Sequence, residues 1–205
     1  ASTSGTSPLA TSSDPDRFRA GALLAALLIL LSATAPAAAR VLLGVDEALG
    51  LVYPGAEIER RTLYLSAEER ARAEALAGGP LASGVARPYV AHAGGELVGT
   101  AYLDTHRVRT LPQTVMVALD AAGRVLRVEV LSFDEPPDYL PRGEWYRQFE
   151  GRDGDAPLAP GRDVRGVTGA TLTTRTTAAA VKRVLALHAV ITAREEGAPL
   201  AGSRH

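Results

Sequence analysis

Two hydrophobic periods organise the chain. Val125, Arg127 and Glu129 alternate with Leu126, Val128 and Val130, a period of two that marks a strand with one part-polar face. Val181, Val184, Leu185, His188 and Ile191 recur at spacings of three, four and seven, the period of a helix, with His188 at the edge of its core face. Two hairpins are expected. Residues 85–92 and 96–104 flank Ala93-Gly94-Gly95, and residues 113–119 and 124–132 flank Asp120-Ala121-Ala122-Gly123. Upstream, residues 41–52 predict a short helix ended by Tyr53-Pro54-Gly55. Ser66-Ala67-Glu68-Glu69 is a capping box that opens a second helix, stopped near Ala77 by Gly78-Gly79-Pro80. The expected fold class is α+β: an antiparallel sheet of about four strands packed with helices.

Beyond Phe133 the pattern lapses. Asp134 to Gly143 includes Pro136-Pro137, which forbids helix and central strand. Residues 144–151 regain helical spacing, with Trp145 and Phe149 four apart. Those aromatics either staple a surface helix to the core or line a ligand. Ala156 to Gly161 reads as loop and leads to Gly166-Val167-Thr168-Gly169-Ala170-Thr171-Leu172-Thr173-Thr174, just before the helical period. Gly166 and Gly169 permit sharp turns and close approach of a ligand. A loop of small residues opening a helix leaves N–H groups free, and such groups seat a phosphate. The plainer reading is that Thr168 or Thr171 caps the helix.

The amino-terminal end has another character. Residues 1–16 are rich in Ser, Thr and Ala and are expected to be disordered. Arg17-Phe18-Arg19 then precedes Ala20 to Ala39, 20 residues without a charge. This is either a cleavable leader with its Ala-Pro-Ala-Ala-Ala stretch or an uncleaved membrane anchor through residues 20–39. Both readings put the remainder of the chain on the extracytoplasmic side, because the basic residues precede the apolar run.

Composition removes several classes of function. The chain has 205 residues, a formal charge of −1 and no cysteine. Disulfides, iron–sulfur clusters and thiol catalysis are excluded. No basic cluster argues for nucleic acid, and His92, His106, His188 and His205 lack metal-ligand spacing.

Thr168-Gly169-Ala170-Thr171-Leu172-Thr173-Thr174 resembles the attachment motif of the FMN-binding domain family, found in flavinylated subunits of sodium-translocating NADH:quinone oxidoreductases and Rnf-type complexes. Gly95-Glu96-Leu97-Val98-Gly99 and the Asp120-x-x-Gly123 hairpin extend that resemblance. It implies FMN joined through a phosphoester to Thr171 by a separate flavin transferase, with Thr168, Gly169, Ala170, Leu172 and Thr173 around it. It also implies that Glu135 and Trp145 contribute to the isoalloxazine surroundings. The chain departs from the family pattern at Arg165, where Asp is usual, and at Asp138 and Leu140, where glycines are usual. Arg107 and Arg109, between the hairpins, are either solvated or face the flavin phosphate or a partner's acidic surface. The resemblance further implies an electron carrier within or beside a membrane redox complex. The expected division is 1–16 disordered, 17–40 leader or anchor, 41–84 helical connector, 85–194 FMN-binding domain and 195–205 flexible tail.

Overall fold

A computed structural model describes residues 41–197. The leader or anchor at 17–40, the 1–16 segment and residues 198–205 lie outside the described residues. The elements in chain order are α1 (Val45–Val52), β1 (Glu57–Arg60), β2 (Leu63–Tyr64), α2 (Ala67–Ala77), β3 (Val85–Ala86), β4 (Tyr89–Ala93), β5 (Glu96–Arg107), β6 (Pro112–Asp120) and β7 (Val125–Phe133). A 3-10 turn (Pro137–Tyr139), α3 (Gly143–Tyr146), a second 3-10 turn (Arg147–Phe149) and α4 (Thr171–Gly197) complete the order.

The main sheet is antiparallel, in the order β1-β4-β5-β6-β7; β2 and β3 form a separate pair. Both expected hairpins form. Gly94 and Gly95 sit at φ 60° and 85°, the positive pair a two-residue turn with matching twist requires. In the second hairpin, Asp120 Oδ1 accepts the N–H groups of Ala122 and Arg124, both at 2.9 Å, and Gly123 takes φ 77°.

Three departures from the sequence reading have local causes. Pro88 has no N–H to give a ladder, so the strand expected over 85–92 divides into β3 and β4. The segment 41–84, expected as helical, also supplies β1 and β2; β1 adds a fifth strand to the sheet. All four residues of β1 are exposed, so no hydrophobic alternation marks it. Residues 195–197, expected in a tail, complete the last turn of α4.

Side chains alternate across the sheet and build two cores. On one face Tyr102, Val117, Leu119 and Val128 meet Val181, Val184 and Leu185 of α4, together with Trp145 and Phe149. On the other, Ala101, Met116, Ala118 and Leu131 are covered by Ala48, Leu49 and Tyr53 of the α1 segment. The capping box of α2 forms in full and Gly78 ends that helix at φ 70°. Ala73 and Leu81 then pack with Val190 on the outer side of α4. Although α4 has 27 residues, half of its most apolar stretch is buried inside the domain, as in a core helix.

Candidate functional site

The site is built from the peptide that enters α4. Arg165 is gripped twice: its N–H donates to Gln148 Oε1 at 2.8 Å and its carbonyl accepts from Trp145 Nε1–H at 2.6 Å. The chain then turns at Val167–Ala170, with Ala170 N–H on the Val167 carbonyl at 3.0 Å and Gly169 at φ 86°. The Ala170 carbonyl accepts the N–H of Thr174 at 3.0 Å, which makes Ala170 the N-cap. Neither Thr168 nor Thr171 holds that position. An alanine side chain cannot cap, so helix geometry leaves the N–H groups of Thr171, Leu172 and Thr173 without intrahelical acceptors.

The threonines separate by their hydroxyls. Thr173 is buried and donates to the Tyr139 carbonyl at 2.7 Å; Thr174 is buried and donates to the Thr171 carbonyl at 2.9 Å. Thr168 and Thr171 are exposed, and neither hydroxyl forms a hydrogen bond among the described residues. Leu172 is 46% exposed beside them, whereas Ala170 is 2% exposed.

The opposite wall comes from the β5–β6 turn and the exit of β7. Glu135 Oε1 accepts the N–H groups of Arg109 at 3.2 Å, Thr110 at 2.6 Å and Leu111 at 2.8 Å, and the Thr110 hydroxyl at 3.2 Å. The N–H groups of Leu111 and Thr110 hold its carboxyl below the usual glutamate range. Arg107 also braces this turn by donating to the Thr110 carbonyl. So fixed, Arg109 places its guanidinium carbon 5.9 Å from the centre of the Tyr139 ring.

These pieces enclose a cavity of about 150 Å³ lined by Val108, Arg109, Tyr139 and the run Gly169-Ala170-Thr171-Leu172-Thr173. Larger grooves lie elsewhere, about 490 Å³ beside Tyr102 and His188 and about 570 Å³ along β7, but neither touches the threonine motif. In the first of these, Tyr102 and His188 lie 3.1 Å apart, and burial pushes Tyr102 up and His188 down, both towards the uncharged form.

The candidate residues are thus placed unevenly. Gly169, Ala170, Thr171, Leu172 and Thr173 share the cavity, and Thr168 stands at its approach. Glu135 serves it indirectly by fixing the Arg109 turn. Trp145 does not line it: 8% exposed, it packs edge-on against Tyr146 and Phe149 and holds the Arg165 peptide. Tyr139 and Val108 were missed from the sequence. Tyr139 did leave a signal, as the one aromatic residue between Phe133 and Trp145 in a loop full of prolines.

The model of the FMN-binding domain family matches residues 111–186, from the start of β6 through the first half of α4. No curated protein matches the chain. That segment contains the open helix end, its exposed hydroxyl and Tyr139, so the part of the chain that carries the candidate site matches an FMN-binding domain, and the match supports FMN as its cofactor.

Proposed function

We propose that this protein is an extracytoplasmic electron carrier whose FMN is esterified through its phosphate to Thr171. The observation that carries the reading is the state of Thr171: an exposed, unbonded hydroxyl on the first residue of a helix whose N-cap is alanine. The donor set fits a flavin phosphate. The N–H groups of Thr171, Leu172 and Thr173 lack intrahelical acceptors, and the helix dipole favours an anion at this end by roughly 0.3–1 kcal/mol. No Cβ at Gly169 obstructs the approach, since none of the surrounding atoms lies within 4 Å of where it would stand.

In the attachment step the Thr171 oxygen bonds to the FMN phosphorus of FAD. The diphosphate P–O bond breaks, AMP leaves, and the hydroxyl proton passes to a base on a flavin transferase. Bound FMN supplies the exchange of one or two electrons, while the protein supplies position and electrostatics. A covalent link suits a flavin outside the cytoplasm, where a dissociated cofactor would be diluted away. The apolar run at 20–39 supports a carrier held at a membrane, passing electrons to or within a redox complex.

The test is incubation of the purified chain with a flavin transferase, FAD and Mg²⁺, then intact mass and in-gel fluorescence after denaturation. An FMN adduct that survives denaturation is expected. Flavin that binds and is lost on denaturation would point to a reductase with non-covalent FMN. A chain that takes up no flavin would be an exported interaction domain instead.

A further inference from the structure

Arg109 lies two residues before the segment that matches the family, yet it forms one wall of the same cavity as Thr171. Its side chain is exposed and forms no ion pair among the described residues. The nearby carboxylate of Glu135 is committed to the turn itself, giving Oε1 to the N–H groups of Arg109, Thr110 and Leu111. The guanidinium stays at the cavity wall, and among the described residues its partner is the face of Tyr139, 5.9 Å away and lining the same cavity. That hold is weak at an exposed site, and a phosphate oxygen with its charge-assisted hydrogen bonds displaces it readily.

We propose that Arg109, steadied by Tyr139 and by the Glu135-bound turn, is the cationic partner of the flavin phosphate at Thr171. The inference rests on the flavin reading of this site. It assigns Arg109 a role in choosing phosphorylated flavin over bare riboflavin, before any bond to Thr171 is made. Arg175, one helical turn beyond Thr171, adds positive charge nearby but does not line the cavity.

The experiment titrates never-flavinylated full-length protein with FMN and with riboflavin, monitored by flavin fluorescence. Wild type is expected to prefer FMN by about tenfold, the scale of one charge-assisted hydrogen bond. Arg109→Gln should lose that preference with riboflavin affinity unchanged, and Arg109→Lys should keep part of it, having charge without the planar fork. Equal preference in wild type and Arg109→Gln overturns the proposal. So does a wild type without preference, including one that binds neither flavin. The adduct at Thr171 is scored separately by intact mass. If wild type takes no adduct yet shows an Arg109-dependent FMN preference, the covalent reading fails and the Arg109 assignment stands.

Discussion

The Thr173 hydroxyl donates to the Tyr139 carbonyl at 2.7 Å, across 34 positions of sequence. This bond ties the first turn of α4 to the 3-10 turn after β7, and so sets the width of the cavity between them. Thr173→Val keeps the shape but leaves the Tyr139 carbonyl without this donor, at a cost of about 1–2 kcal/mol. Thr173→Ser should restore most of it. Denaturant unfolding of the two variants checks this, and equal stability of Val and Ser variants would show that the bond contributes nothing.

Thr171→Ala should abolish the FMN mass increment with almost no cost in stability, within about 0.5 kcal/mol. The reason is that Ala170, and not Thr171, occupies the N-cap. Thr171→Ser keeps the hydroxyl and should retain some attachment. Peptide mapping that finds FMN on Thr168 would reassign the ester to the other exposed threonine.

Trp145→Ala should destabilise the fold by about 3–5 kcal/mol, because it empties a buried aromatic site and frees the Arg165 carbonyl. Trp145→Phe should cost less but still lose the indole bond. Flavin fluorescence of the attached protein should change little in the Phe variant. Strong dequenching there would return Trp145 to the flavin's surroundings.

Asp104 couples stability to acid. Burial opposes its charge, but hydrogen bonds from His106 at 2.8 Å and from Arg183 at 2.7 and 2.9 Å prevail and hold the carboxyl at about 2, below its ordinary 3.8. A carboxyl depressed on folding stabilises the native state above the unfolded value and loses that contribution as pH falls through the folded one. The contribution, about 2 kcal/mol, should therefore be full at neutral pH and disappear between about pH 5 and pH 1. Urea unfolding across that range should show a steeper decline for wild type than for Asp104→Asn.

Gly99 has no room for a side chain. A Cβ there would stand 2.3 Å from the Leu119 carbonyl oxygen and 2.5 Å from the Tyr53 ring. Gly99→Ala should cost about 3 kcal/mol through displaced backbone. Tyr53→Phe, which loses only the 2.7 Å bond to Leu119, should cost about 1 kcal/mol. Thermal midpoints of the two variants should rank in that order.

What the sequence determined by itself was whatever a few neighbouring residues settle. Gly94-Gly95 and Asp120 to Gly123 dictate their turns through backbone freedom and the two N–H groups that Asp120 accepts, and Ser66 with Glu69 closes a cap over three positions. The threonine motif was legible for the same reason, since its geometry is local to one turn and the start of one helix. The tertiary structure decided which groups face that motif. Glu135 reaches Thr110 across 25 positions and Tyr139 meets both Arg109 and Thr173, contacts that no periodicity encodes. It also decided the fate of Trp145, whose helical spacing with Phe149 suits a core or a ligand equally. Burial and the Arg165 carbonyl place Trp145 in the core, because an indole N–H withdrawn from water needs an acceptor, and the loop leading into α4 supplies it.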